Sequence, residues 1–539
     1  MPREAFAESV ARFLDEEFAE RPVLASSLGR MEAAGELDDL SQAAFEGRAA
    51  RVARWLDRLA KIPAEGLDRD DQVDRELLLA ELRGRAVETE WQSWRRTPDG
   101  YVGLGLAGVF TLFLHRLLPE RELAAAAAAR LRQVPRVLDE ARHNLDPELC
   151  SGLLVKRAMA QCQAAITFAR EVVPAEVSEE ALGANLAVAG EAAASAYEGF
   201  MPFLEDLAAR AAGSPALGEE RYSRLLLSKE LLPWDARQLR DRGRRQVDLI
   251  ADRLAEEVDG PWRERVERLR EQRPTTPEEM LRAYEAAARR AREFITRYRL
   301  VTLPADEECS VEPAPIFQRV ILAVASYSQP APFGPSRRGR FFVPWPPLGA
   351  SPSEVAQRLR ASSFYRIPTT SVHEAYPGHH VHLVSARENA RPLRAVVGTS
   401  FFSEGWALYA EQMMADQGFY LERVDELIGQ LEARRFRALR IVLDTSLHIG
   451  DMEFEEAVEI LVREAGYPEP TARAEVLRYC AAPTQAVSYL TGCLLIEALK
   501  EKFLATGQGE LRDYHDRLIR LGRGLPMPLA ERCLQPAEE

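Results

Sequence analysis

The sequence predicts a mainly α-helical protein, one large two-lobed body with a small β-hairpin or edge sheet set just before a histidine-rich motif. Three observations carry this. Apolar residues recur three and four apart over most of the chain, the period of amphipathic helices. The texture changes at about residue 300, where prolines and short β-prone runs gather. Four of the eight histidines fall within ten residues, His373 to His382.

From residue 1 to about 300 the chain reads as helix after helix. Over 68–94, Val73, Leu77, Leu78 and Leu82 stand at helical spacing among charges. The stretches 117–145, 156–173 and 179–212 repeat the pattern, with Pro98-Asp-Gly, Pro147, Pro174 and Gly213-Ser-Pro as breakers between them. Asp235 is placed to cap the next helix, and Thr276-Pro-Glu-Glu279 reads as a capping box for a helix running to Tyr298. Val320 to Tyr327 and Arg340 to Trp345 are short β-prone runs across a Pro/Gly-rich loop, the pattern of a hairpin or small sheet. Pro344 confines its strand to an edge or ends it. Helices then resume to about residue 521. The expected division is a helical lobe over 1–300 and a catalytic lobe over 301–539, with no strong linker between them.

The bulk properties narrow the class. A composition 46% hydrophobic and 29% charged belongs to a globular protein. A net charge of −14 argues against nucleic acid or an anionic membrane as the main partner. Six cysteines without CxxC spacing read as buried thiols of a reducing compartment, not a disulfide frame or a cysteine metal site. The first residues lack the apolar core of a signal peptide, and the most apolar tract, 123–131, is too short to span a bilayer. The expected location is the cytoplasm.

The chemistry concentrates in Ser371-Val-His-Glu-Ala-Tyr-Pro-Gly-His-His-Val-His382. Zinc takes nitrogen and oxygen ligands, and a helix usually offers them as HExxH. Here the fourth residue after His373 is Pro377, so that spacing fails. His379 lies about 240° round an ideal helix from His373, and His380 about 10 Å along its axis. Neither pair closes on one ion on an unbroken helix. Pro377-Gly378 supplies a break, and a two-residue bulge there would return His379 to the second-ligand position. The alternative is that Pro-Gly ends a helix and the histidines decorate a loop. Glu404, 25 residues after His379 on a following helix, is the third-ligand candidate. Its apolar neighbours demand a partner for a buried carboxylate. Otherwise Glu404 is a solvated acid serving the helix dipole.

His373-Glu-Ala-Tyr-Pro-Gly-His-His380, with Ser403-Glu-Gly-Trp-Ala-Leu-Tyr-Ala-Glu411, resembles the bacterial family called domain of unknown function 885. The likeness continues through Arg437–His448, Glu475–Tyr479, Gln485–Gly492 and Tyr514–Asp516, and covers nearly the whole chain. That family is similar to helical zinc peptidases of the thimet oligopeptidase and carboxypeptidase Taq type. The resemblance implies a deep cleft with a small edge sheet beside one Zn2+ per chain. It implies His373, His379 and Glu404 as ligands, Glu374 as general base and Tyr489 as the oxyanion donor, although a core tyrosine reads equally well there. Two positions depart from the family pattern: His382 stands where Gln is usual, and Pro483-Thr484 where Pro-Gly is usual.

Further candidates surround these. Asp444 and His448 share a helix face, so Asp444 either fixes the tautomer of a catalytic His448 or forms a structural pair with it. His380 reads as a residue behind the ligands or in the pocket, and His382 and Tyr479 as pocket-lining. Arg440 and Arg478 are candidates for a terminal carboxylate, and Arg337 and Arg338 for the cleft mouth. The expected function is a zinc-dependent hydrolase of short peptides, although another divalent metal suits the same donors. The alternatives are a zinc amidase acting on an acyl-amino acid or peptide-like natural product, and a non-catalytic helical scaffold. The expected partner is a short peptide or similar small molecule, with no nucleic acid and no membrane. A homodimer is compatible with the sequence.

Overall fold

The computed structural model describes residues 2–258, 260–319, 324–347, 349–507 and 509–535. It is mainly helical with one small sheet, as the spacing predicts. The chain forms two compact units. The first comprises Met1–Arg75, Glu81–Leu217 and Ala331–Ser336, and the second Glu76–Ala80, Gly218–Pro330 and Arg337–Glu539. The change of texture at residue 300 therefore falls inside the second unit. It marks the sheet, not the end of a core.

In the first unit the helices Glu120–Asn144 and Gly152–Thr167 both pack on Glu180–Arg210. Ala124, Ala127, Ala128, Ala193 and Ala194 are fully buried there, and such short side chains let helix axes approach closely. The helix expected over 156–173 ends earlier. After Thr167 it passes into a π turn, Phe168–Val172, ahead of Pro174.

In the second unit Asp235 caps Ala236–Glu257 as predicted, accepting from the Gln238 backbone while Gln238 reaches back to it. Thr276 caps Pro277–Arg297, but Glu279 closes on Thr275, so the box is offset by one residue. The sheet has three strands in the order β1-β3-β2. These are β1 Glu308–Pro313, β2 Ser326–Ser328 and β3 Arg338–Val343. The expected hairpin is the antiparallel β2–β3 pair, and β3 stops one residue before Pro344. Residues 320–323 of the first β-prone run lie outside the described residues. Strand β1, parallel to β3, was not expected. Of the six cysteines, Cys150, Cys162, Cys480 and Cys493 are buried, and no disulfide joins any two among the described residues.

Three long helices, Ser400–Asp416, Val424–His448 and Ser488–Ala505, form the body behind the histidine motif. The first and third cross at Gly405 and Gly492. A Cβ on Gly492 would stand 1.8 Å from the Phe401 carbonyl, and one on Gly405 2.6 Å from the Gly492 backbone. This crossing sets Glu404 beside the start of the Ser488–Ala505 helix, where Tyr489 sits.

Candidate metal centre

The motif helix Ile367–Glu374 stops at Glu374. Ala375 leaves the helical region with φ −112° and ψ −83°, Tyr376-Pro377 is cis, and Gly378 N–H returns to the Val372 carbonyl at 3.0 Å. A Cβ on Gly378 would lie 1.9 Å from the His373 carbonyl oxygen, so only glycine fits the fold-back. A new helix starts at His379. The expected bulge is thus a full break between two helices. Trp406 Nε1 donates to the Pro377 carbonyl at 2.9 Å and pins the break to the Ser400–Asp416 helix.

The break brings His373, His379 and Glu404 together, with one ligand atom from each lying within 4.8 Å of the others. Glu404 Oε2 is 3.5 Å from His373 Nε2 and 3.3 Å from His379 Nε2. The two imidazole rings stand 4.8 Å apart and perpendicular. Burial works against the Glu404 charge, but His379 and His373 more than offset it and hold the carboxyl well below its usual range. Burial likewise opposes charge on His373, yet Glu404 and Glu411 carry it up to about 9. With Glu374 beside them, three carboxylates converge on two imidazoles. That donor set and charge balance fit a divalent cation, and two imidazoles with one carboxylate fit zinc.

Glu411 lies two turns beyond Glu404 on the same helix. Its Oε1 is 2.7 Å from His373 Nδ1, while Thr369 donates to its Oε2 at 2.9 Å and Arg437 stands 3.7 Å away. Glu374 is half-buried. Burial and the nearby Glu404 charge raise its carboxyl, outweighing the two imidazoles and the Tyr327 backbone N–H, which lower it. The Tyr489 ring stacks near His373, with centroids 6.4 Å apart and planes 18° from parallel. Gln485 Nε2 donates to the Tyr489 hydroxyl at 3.3 Å, which leaves the hydroxyl proton for another acceptor.

Several predicted residues are placed elsewhere. His380 is fully buried with both ring nitrogens engaged, Nε2 by Glu307 at 2.7 Å and Nδ1 by the Tyr327 hydroxyl at 3.0 Å, so it does not line a pocket. His382 is also fully buried, with Nε2 donating to the Gly522 carbonyl and the ring held neutral as burial pushes its pKa down to about 3. His448 donates Nε2–H to the Tyr479 carbonyl at 2.9 Å, and its ring stacks on Tyr222. Asp444 accepts from the Tyr222 hydroxyl at 2.5 Å and the Thr484 backbone at 3.2 Å. The expected Asp444–His448 relay is not closed in this buried cluster: His448 Nε2 is committed to the Tyr479 carbonyl and stays 4.0 Å from Asp444 Oδ1. The Tyr479 ring is fully buried and offers no surface to a substrate. Arg337 and Arg338 pair with Glu388 and Glu308. Arg440 and Arg478 both reach Glu475, and the Arg440 guanidinium lies 4.7 Å over the Tyr489 ring.

Sequence reasoning missed the roles of Glu411, Thr369 and Arg437. The seven-residue spacing of Glu404 and Glu411 was the available signal, since it puts both acids on one helix face.

Two solved structures match over 98% of this chain and 98% of their own. One is described as a "putative lipoprotein of unknown function" from Shewanella oneidensis (TM-score 0.79, 20% identity) and the other as a "putative lipoprotein" from Colwellia psychrerythraea (TM-score 0.82, 19% identity). At these identities they establish the fold. A carboxypeptidase from Pyrococcus furiosus aligns at a TM-score of only 0.36 and 13% identity, over 86% of this chain and 94% of its own, and supports no transfer. No curated protein matches the sequence. The expected cytoplasmic location is corrected by the two full-length matches. Both bear a lipoprotein description, and cysteines without CxxC spacing and a first stretch without an apolar core do not outweigh it. The family model described as "Bacterial protein of unknown function (DUF885)" matches residues 22–533, and the chain belongs to that family.

Proposed function

We propose that this protein is a metal-dependent hydrolase of amide bonds, a zinc peptidase acting on short peptides. The observation that carries the reading is the convergence of His373, His379 and Glu404 with Glu374 beside them and Glu411 behind. A zinc ion held by the three ligands supplies Lewis acidity toward a carbonyl and makes water more acidic.

The chain's own residues do the rest. Glu411 keeps the His373 proton on Nδ1 and turns Nε2 toward Glu404. Glu374 takes a proton from the attacking water and delivers it to the leaving nitrogen. A carboxyl raised by burial suits both halves of that task. Tyr489 donates its hydroxyl proton to the carbonyl oxygen as negative charge develops there. Arg440, over the Tyr489 ring, is the candidate substrate contact.

The test is elemental analysis of protein purified without added zinc, as wild type and as Glu404→Ala, together with a peptide hydrolysis assay. About one zinc per chain, lost in the variant along with turnover, is the expected result. A folded wild type that neither carries nor takes up a divalent metal would overturn the reading.

A further inference from the structure

Beside Tyr489, two guanidiniums converge on one carboxylate. Glu475 is half-buried, and although burial pushes its carboxyl up, Arg440 and Arg478 bring it down to about 2, so it stays ionised. Both guanidiniums reach the same oxygen, Oε2, Arg478 at 2.9 Å and Arg440 at 3.4 Å. Arg478 is further engaged by Gln485 Oε1. Arg440 is not: only its Nη2 reaches Glu475, and its Nε is buried with no hydrogen-bond partner. Two full positive charges thus share one negative charge, and Arg440 holds the weaker part.

The position of that surplus matters. The Arg440 side chain is only 11% exposed. Its guanidinium lies between rings, 4.4 Å from the Phe436 centroid and 4.7 Å from that of Tyr489. These rings fix the plane of the fork and shield it from water, which strengthens any charge it meets. Tyr489 in turn stacks near His373. One aromatic ring therefore separates an under-paired guanidinium from the candidate metal ligands. A peptide residue spans at most about 3.6 Å, so a group bridging that ring lies about one or two residues from a carbonyl held at the ligands.

We propose that the substrate carries a free carboxylate within one or two residues of the scissile amide, and that Arg440 binds it. The site then acts on chain ends or on acylated amino acids, not inside long peptides. This rests on the hydrolase reading above. It differs from a purely structural ion cluster in what it predicts: such a cluster would be indifferent to the substrate's terminal charge.

The experiment compares hydrolysis of a panel of N-acetyl dipeptides with that of their C-terminal amides, by wild type and by Arg440→Gln. Metal content and melting temperature are recorded for both proteins. A charge-assisted hydrogen bond corresponds to about a 10- to 100-fold effect. The free acids should exceed the amides in kcat/KM by that factor, and the preference should fall to near unity in Arg440→Gln at unchanged metal content. Arg440→Lys, which keeps the charge and stem but loses the fork, replaces it if the glutamine variant does not fold, and should show a reduced preference. Equal turnover of acids and amides, or a preference that survives the substitution, overturns the proposal while the hydrolase reading stands. If neither set is hydrolysed, the peptidase reading fails, and calorimetry with N-acetylalanine and its amide decides the carboxylate site. Acid-selective binding that Arg440→Gln abolishes sustains the site, and binding without selectivity, or none, ends it.

Discussion

Glu411 Oε1 lies 2.7 Å from Nδ1 of His373, and the opposite nitrogen of that ring faces Glu404. The carboxylate accepts the Nδ1 proton, so in the neutral ring that a metal ligand must be, the lone pair of Nε2 points to the place where Glu404 and His379 converge. One helix, Ser400–Asp416, supplies both acids. It offers a ligand and, two turns further on, holds the tautomer of its partner ligand. Thr369 and Arg437 hold Glu411 from the other side.

Replacing Glu411 by Gln keeps the size of the side chain and removes its charge. The amide no longer fixes the His373 proton on Nδ1. Metal affinity should fall by about 10- to 100-fold, the usual cost of losing such an outer partner. Competition against a chelating dye measures it. An unchanged affinity would mean that His373 is oriented by its helix alone.

Glu374→Gln separates ligation from proton transfer. Glu374 lies outside the group His373, His379 and Glu404, so metal content should match wild type. Peptide turnover should fall by about 10²- to 10⁴-fold, the contribution of a positioned general base. Loss of metal as well as activity would instead assign Glu374 to the ligand set.

What the sequence disclosed follows from range. The failure of HExxH spacing at Pro377 and the breaker at Pro377-Gly378 lie within six residues, and together with the family resemblance they pointed to His379 rather than His380. The face shared by Asp444 and His448 was also local, and correct as geometry. Its use was not local, because Tyr222 and the Tyr479 carbonyl claim those polar atoms from distant parts of the chain. Strand β1 escaped for a related reason. Its partner in parallel register lies thirty residues on, and parallel pairing leaves no turn signal between the strands. The Arg440–Glu475 contact joins two separate helices, so no spacing rule could reveal the surplus charge.

Gly378→Ala tests the fold-back directly. The added Cβ meets the His373 and Val372 carbonyl oxygens at 1.9 Å and 2.3 Å, so the break must open and His379 must move. Lower melting temperature and lost metal binding should appear together. Gly47→Ala is the contrast, since Gly47 sits exposed in the Gln42–Ala60 helix with nothing within 4 Å of the new Cβ. That substitution should stabilise by about 0.5–1 kcal/mol. If Gly378→Ala retained both stability and metal, the backbone at the break would not need glycine.

The first unit carries its own pH dependence in Glu17. This carboxylate is fully buried and receives Arg51 at 2.8 Å, Arg85 at 2.7 Å and 3.0 Å, and Arg21 at 3.1 Å. Burial raises its pKa, but Arg85, Arg21 and Arg51 together bring it from 4.5 down to about 2. A folded-state pKa below the unfolded one stabilises the ionised fold, so the contribution is complete above pH about 4.5 and is lost as pH falls toward 2. At 1.36 kcal/mol per unit this amounts to about 3 kcal/mol. Glu17→Gln should be less stable than wild type near pH 7 by about 3 kcal/mol, because it removes the carboxylate that three guanidiniums share and leaves Arg51 only Glu20 and Arg85 only Glu81. The gap should narrow as pH drops through 4, where wild type loses the same charge. Urea unfolding of both proteins at pH 7 and pH 3 measures it, and a gap that is constant with pH would show that Glu17 acts through packing and not through its ionisation.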